Sequence, residues 1–103
     1  MVYTIDEIKE RIRPVAEKYN LPAVYLFGSY ARGEADEKSD IDLMIDRTGT
    51  DVAGVFRLGG VYDDFDTRFE KSIDMITSDV LDDDGDKRFH YNVKKDMVLI
   101  YER

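Results

Sequence analysis

The residues that could do chemistry in this chain are concentrated in one stretch, where a small-residue turn precedes two carboxylates. The turn is Gly28-Ser29, ten residues follow it, and the segment Asp40-Ile41-Asp42 comes next. Backbone N–H groups in such a turn and the serine hydroxyl can donate to phosphate oxygens, and glycine lets the backbone approach a ligand closely. Two aspartates spaced two residues apart on a strand point to the same face. The stretch therefore predicts a phosphate site beside paired carboxylates.

Two further residues could complete this site. Asp74 lies between Ile73 and Met75 in a second alternating segment. If its strand neighbours the strand of Asp40 and Asp42, the three carboxylates form an all-oxygen site suited to Mg²⁺. Without a cation, three such charges at close quarters repel one another. Arg32 follows the turn and could either reach the phosphates or brace the loop, and the sequence leaves both roles open.

The polar segments also permit simpler interpretations. An ordinary turn followed by a solvent-facing strand would use the same residue types, but the combined spacing and composition favour the site. The acidic run 82–86 places its glycine wrongly for an EF-hand loop, so a solvated loop is the better interpretation. His90 is the single histidine of the chain. Since it has no visible catalytic or metal-binding partner, a structural or exposed role is expected.

Hydrophobic periodicity predicts the elements that position the site. A helix over about residues 5–19 starts at a capping box formed by Thr4 and Glu7 and is expected to kink at Pro14. Strands are expected at 23–27, 40–46, 72–77 and 97–101, with a loop at 81–86. A helical turn capped by Ser29 is expected at 29–34, and a helix at 87–95. A further helix is expected within 48–71, ending near Phe69 and weakened at Gly54, Gly59 and Gly60. This order predicts an α+β fold, with one mixed four-stranded sheet and helices mainly on one face.

Composition limits the possible classes of protein. The 103 residues predict a single domain, 1–103, with enough apolar residues (43%) for one core. The formal charge of −8 disfavours direct binding of nucleic acid, which relies on Lys and Arg. The chain has no cysteine and no apolar run long enough to span a bilayer. We therefore expect a cytoplasmic protein that does not bind membranes.

The motif Gly28-Ser29-Tyr30-Ala31-Arg32-Gly33, followed by Ser39-Asp40-Ile41-Asp42-Leu43 and by Asp74, resembles the nucleotidyltransferase superfamily of DNA polymerase β type. Within that superfamily the chain is most similar to the minimal nucleotidyltransferases, the MntA-like antitoxins that pair with a HEPN-domain toxin. The resemblance spans nearly the whole chain. The glycine-rich segment 54–60 is unusual for a helix of that family.

The resemblance implies a Mg²⁺-dependent enzyme that moves AMP from ATP to a tyrosine hydroxyl of the toxin and thereby silences it. It assigns Asp40 and Asp42 to metal binding, with two Mg²⁺ ions expected. Asp74 would help to activate the acceptor oxygen and join the metal site, and Gly28 and Ser29 would hold the β- and γ-phosphates. Two alternatives remain open: a small-molecule nucleotidyltransferase of the antibiotic-modifying type, and a non-catalytic antitoxin that only binds its partner. The oligomeric state is open as well.

Overall fold

The structure is a computed structural model that describes residues 2–50, 55–79 and 87–103. Four helices and four strands alternate through these ranges. They are α1 (Ile5–Lys18), β1 (Ala23–Phe27), α2 (Gly28–Ala31), β2 (Ile41–Asp46), α3 (Val55–Asp66), β3 (Ile73–Thr77), α4 (Lys87–Asp96) and β4 (Val98–Glu102). The predicted α+β class is confirmed.

The four strands form one sheet in the order β3-β2-β1-β4. β1 is antiparallel to both β2 and β4, whereas β2 and β3 run parallel. A parallel pair needs a crossover connection, and α3 supplies it between β2 and β3. The mixed four-stranded sheet expected from the sequence is therefore present, and its two central strands are β2 and β1.

The main core lies on one face of the sheet, against α1 and α3. Alternate residues of β2 point into it because successive side chains of a strand face opposite sides. The largest fully buried side chains of this core, each with 0% relative exposure, are Phe65, Ile8, Ile12, Leu21, Leu26, Ile41, Leu43, Ile45, Val24 and Val61. This arrangement gives β2 one face that packs in the main core and an opposite face that carries the partly buried Asp42 and Asp46 on either side of the buried Met44.

α1 begins as the sequence predicts and continues through its proline. The Thr4 hydroxyl accepts a hydrogen bond from the Glu7 backbone N–H at 3.1 Å, and the Glu7 carboxylate accepts one from the Thr4 N–H at 2.9 Å. Pro14 lies inside the helix, which ends at Lys18. Since Ile12 and Val15 are both buried, packing on the sheet holds the helix on either side of the proline.

Two expected helices differ from the structure. The short helix after β1 begins at Gly28 with Phe27 at the N-cap, which forms no side-chain capping bond, so the expectation that Ser29 caps it was wrong. α3 runs without a break through Gly59 and Gly60 and ends at Asp66, before the expected Phe69. Burial of Val61 and Phe65 in the core outweighs the weak helix propensity of the glycine pair.

Several expectations concern residues that the structure does not describe. Gly54 and the acidic loop at 81–86 lie outside the described residues, and so does the side chain of His90. Among the residues that are described, no helix is long and apolar enough to cross a membrane.

Candidate active site

The structure places Asp42 and Asp74 side by side on neighbouring strands. The parallel register of β2 and β3 pairs Asp42 directly with Asp74, so both side chains project from the same face of the sheet. This is the face opposite the main core, because the flanking residues Ile41 and Leu43 are fully buried in that core. The two carboxyl groups are close enough to share a hydrogen bond, which requires a proton on one of them.

The electrostatic surroundings of Asp42 disfavour its ionised form. Partial burial, the negative charge of Asp74 and then that of Asp40 raise the pKa of Asp42 from 3.8 to about 6, and the hydrogen bond with Asp74 acts in the same direction. The Arg32 guanidinium opposes this rise in pKa, but it is the smallest of the five influences. A carboxylate cluster with this imbalance is one that a cation would stabilise.

Asp40 is near this pair but is not joined to it. It is exposed and precedes the first residue of β2, Ile41. Across residues 2–50, 55–79 and 87–103, no three acidic or histidine side chains are already arranged as a metal cage. The charge of Asp40 nevertheless contributes to the raised pKa of Asp42. The structure thus shows a formed pair and a third carboxylate within electrostatic range, on a solvent-exposed side chain.

Gly28 lies directly against the Asp42 carboxylate. Its φ angle of +73° is in the left-handed region, which side chains rarely tolerate. A Cβ atom on Gly28 would lie 2.1 Å from Asp42 Oδ2, too close for any real contact. Glycine is therefore required here for two independent reasons. Ser29 follows in the first turn of α2 and is half-buried, and its carbonyl accepts a hydrogen bond from the Glu34 N–H at 2.9 Å.

Arg32, for which the sequence left two roles open, is engaged with carboxylates in this structure. Its Nη1 donates to Asp96 Oδ2 at 2.8 Å, and its Nε donates to Glu34 Oε2 at 3.1 Å. Asp96 is the last residue of α4, so the guanidinium ties the end of α2 to the end of α4. The pKa of Arg32 is raised, mainly by the bond to Asp96 and then by the bond to Glu34.

The structure also shows a contact between Lys71 and Tyr30 that joins α2 to the segment before β3, and nothing in the sequence connects these two residues. Lys71 Nζ donates to Tyr30 Oη and to the Asp36 carbonyl, each at 2.8 Å. Tyr30 belongs to α2 and is 3% exposed, whereas Lys71 precedes β3. The two residues are 41 positions apart, so no local pattern could have linked them.

A separate groove of about 420 Å³ lies between α1 and the turn that follows α3. It is lined by Glu7, Glu10, Arg11, Thr67 and Arg68. Across it, Arg11 Nη1 donates to the Arg68 carbonyl at 2.7 Å and Arg68 Nε donates to the Arg11 carbonyl at 3.2 Å. None of its lining residues belongs to the carboxylate cluster, so the groove plays no part in the chemistry considered for that cluster.

Comparison with known families and curated proteins supports a nucleotidyltransferase assignment. A family model described as "Polymerase beta, Nucleotidyltransferase" matches residues 10–103. A Methanocaldococcus jannaschii protein whose assigned activity is that of a protein adenylyltransferase is 31% identical over 101 residues, covering 94% of this chain and 98% of the relative. The protein adenylyltransferase MntA of Thermococcus cleftensis is 36% identical over 47 residues, covering 42% of this chain and 48% of the relative. Several other relatives are likewise matched by this chain over about half their length.

A solved structure shares the fold. In a complex of a tri-AMPylated HEPN toxin from Shewanella oneidensis with an MNT antitoxin, one chain superposes with a TM-score of 0.67. The match covers 97% of this chain and 74% of that one, at 14% sequence identity. At this identity the likeness establishes the fold and nothing further about the site.

Proposed function

The chain belongs to the polymerase β nucleotidyltransferase family, and from that premise we propose that it transfers AMP from ATP to a hydroxyl group of a partner protein. The observation that carries the proposal is the pairing of Asp42 with Asp74, with Gly28 pressed against the Asp42 carboxylate. Paired acidic side chains beside a tight glycine turn are what binding of a metal-bound triphosphate requires. The proposed acceptor is a tyrosine of a HEPN toxin, and the proposed biological role is that of an antitoxin.

The carboxylates fit a divalent cation by their chemistry. Oxygen ligands suit Mg²⁺, and the raised pKa of Asp42 reflects negative charge that a cation would neutralise. Asp40, Asp42 and Asp74 are the residues proposed to hold the metal, with Asp40 turning toward the pair. When bound, Mg²⁺ would neutralise charge on the triphosphate and on the departing pyrophosphate.

The remaining residues of the site have separate proposed roles. The β- and γ-phosphates would lie against the backbone of Gly28 and Ser29, where the absence of a Cβ on Gly28 leaves room beside Asp42. The acceptor hydroxyl oxygen attacks the α-phosphorus, the bond from that phosphorus to the bridging oxygen breaks, and pyrophosphate leaves. The hydroxyl proton passes to the Asp74 carboxylate. Arg32 is proposed to brace α2 through Asp96, as its contacts favour.

The proposed partner class draws on three observations. The fold is shared with a chain from a complex in which a HEPN toxin is AMPylated, and the curated relatives include protein adenylyltransferases. The net charge of −8 would be complementary to a basic surface on the partner. Association steered by such charges weakens as salt screens them.

The direct test mixes the chain with ATP, Mg²⁺ and the protein encoded by its neighbouring gene, taken as the proposed HEPN partner, and then weighs both proteins by mass spectrometry. We expect one or more adenylyl groups on the HEPN protein, located on tyrosine by fragmentation. Asp40→Asn serves as the matched variant, because Asp40 is exposed and its replacement should leave the fold intact. With that variant, the mass of the HEPN protein should stay unchanged.

The outcomes separate the competing functions. Stable binding of the HEPN protein without a mass change would replace the proposal with a binding antitoxin. Pyrophosphate release that depends on a small hydroxylated compound, with the HEPN protein unmodified, would favour a small-molecule nucleotidyltransferase. Full transfer by both Asp40→Asn and Asp42→Asn would refute the proposed roles of the carboxylates.

A further inference from the structure

We propose that Lys71 is a positioning residue that restrains α2 relative to β3, and so keeps Ser29 in place next to Gly28, the residue that contacts the Asp42 carboxylate. The bond from Lys71 Nζ to Tyr30 Oη, at 2.8 Å, is the contact that carries the inference. Its consequence for nucleotide binding rests on the proposed function, whereas its effect on α2 does not.

α2 needs an external anchor because it is very short. The helix has four residues, Gly28–Ala31. Isolated helices of this length are unstable in water, so tertiary contacts must hold it. Tyr30 is its one buried residue and belongs to the main core. The Tyr30 side chain is therefore one of the contacts that hold α2, together with the Arg32–Asp96 bond at the end of the helix.

Lys71 holds that side chain in two ways. Its ammonium group donates to the phenol oxygen and also lies 5.1 Å from the centre of the Tyr30 ring. The same group donates to the Asp36 carbonyl at 2.8 Å, which ties down the loop between α2 and β2. A half-buried cation with oxygen partners on two segments restrains both of them, because breaking either bond leaves a charged donor poorly solvated.

Lys71 is itself fixed to the strands that carry the carboxylates. The next residue, Ser72, accepts a hydrogen bond from the Ile41 N–H at 3.1 Å, which begins the parallel pairing of β2 and β3. Asp74 is three residues from Lys71, and Asp42 is its partner in register. Lys71 therefore adds a side-chain link between α2 and the strand of Asp74 to the backbone link that the β1–β2 pairing of Phe27 with Asp42 already provides.

The test compares Lys71→Met, which keeps the length and packing of the stem, with Lys71→Arg, which keeps the charge. Lys94→Met, at an exposed position of α4, is the control. Hydrogen exchange is measured at the amides of Arg32, Gly33 and Glu34, which bond back to α2. We expect Lys71→Met to speed their exchange about tenfold while β1 amides are unchanged, and Lys71→Arg to restore most of the protection.

Calorimetry with Mg²⁺ and a non-hydrolysable ATP analogue measures the consequence for the site. Lys71→Met should weaken the affinity about tenfold, Lys94→Met should leave it unchanged, and Tyr30→Phe should add nothing further in the Lys71→Met background. Unchanged exchange in Lys71→Met overturns the inference. Faster exchange with unchanged affinity reduces Lys71 to a structural brace and overturns its positioning role. If the native chain binds no nucleotide, the proposed function fails, and exchange alone decides whether Lys71 anchors α2.

Discussion

The two faces of β2 show opposite uses of neighbouring residues. On one face Ile41, Leu43 and Ile45 are fully buried against α1 and α3, and their burial stabilises the fold. On the other face Asp42 is partly buried beside Asp74, where its pKa is raised to about 6. At neutral pH this carboxyl group is harder to ionise in the folded chain than in the unfolded chain, and this difference lowers the stability of the metal-free protein.

In this small domain, stability and the proposed chemistry depend on opposite faces of the same strand. The apolar face can hold the strand in register strongly enough to keep two carboxylates together that would otherwise repel each other. A cation bound at that pair would offset the repulsion between the two carboxylates. The face of β2 that carries Asp42 is therefore the one suited to binding a cation. Single substitutions on each face should therefore affect different measurable quantities.

The largest expected effect is on transfer by Asp42→Asn. Loss of a carboxylate from the proposed metal site should lower the rate of AMP transfer at least about a thousandfold, because positioning and charge neutralisation supply most of this catalysis. The fold should persist, since the amide has nearly the same shape. Transfer is followed with labelled ATP, and circular dichroism checks the fold. A variant that retains its secondary structure and transfers at the native rate would contradict the assignment of Asp42.

Leu43→Ala, one residue along the same strand, should have the next largest effect, on stability. Leu43 is fully buried, and truncation of such a side chain removes apolar contacts and leaves a cavity, at a cost of about 3 kcal/mol of unfolding free energy. Urea denaturation measures it, with Leu99→Ala on β4, where the side chain is 42% exposed, as the matched control. Below the urea transition, the folded Leu43→Ala protein should transfer AMP at close to the native rate. If Leu43→Ala lost activity without losing stability, the proposal that the two faces of β2 have separate roles would be contradicted.

The sequence was sufficient where information is local. The capping box of α1, the bounds of β1 and the alternation of β2 follow from residue types and spacing, and the structure agrees to within a residue or two. The spacing of Asp40 and Asp42 is local in the same sense, but the structure places only Asp42 on β2, whereas Asp40 precedes the strand and is exposed. The convergence of Asp74 was conditional, because it required β2 and β3 to be neighbours in a specific register.

The rest depended on tertiary contacts. The start of α2 at Gly28 reflects the close approach to Asp42, which is a distance between two segments. α3 continues through Gly59 and Gly60 because its apolar face is buried, which local propensity does not encode. The Lys71–Tyr30 bond joins residues far apart in sequence, and neither residue type is unusual at its position.

A third prediction concerns how the stability of the metal-free protein depends on pH. The folded pKa of Asp42, about 6, lies above its ordinary value of 3.8, so the folded state binds more protons in that interval. Stability contributed by this group is therefore present below pH 3.8 and is lost as the pH rises through 6. Because Asp42 is only partly buried, we expect the stability of Asp42→Asn relative to the native chain to increase by only about 1 kcal/mol from pH 4 to pH 7.

Urea denaturation in EDTA at several pH values measures this difference. Asp63→Asn, at an exposed position of α3, controls for the loss of one negative charge. The stability difference between that control and the native chain should vary less with pH. If the stability difference between Asp42→Asn and the native chain did not change with pH over this range, ionisation of Asp42 would not destabilise the fold. The two faces of β2 would then differ in polarity alone.

The smallest expected effect comes from a carboxylate on the core side that has the opposite environment. Asp64 on α3 accepts hydrogen bonds from Lys18 Nζ at 2.8 Å and from Tyr19 Oη at 2.6 Å, and these two donors, in that order, lower its pKa. Tyr19→Phe removes one donor but keeps the ring, so it should lower the melting temperature by about 3 °C and raise the pKa of Asp64 toward its ordinary value. Lys18→Met, which removes an exposed ion pair, should lower the melting temperature less. Calorimetry and carboxyl-carbon NMR titration check the two quantities. If Tyr19→Phe left the pKa of Asp64 unchanged, the hydrogen bond from Tyr19 would not be a cause of the lowered pKa of Asp64. Hydrogen-bond donors would then not explain why the pKa is lowered at Asp64 and raised at Asp42.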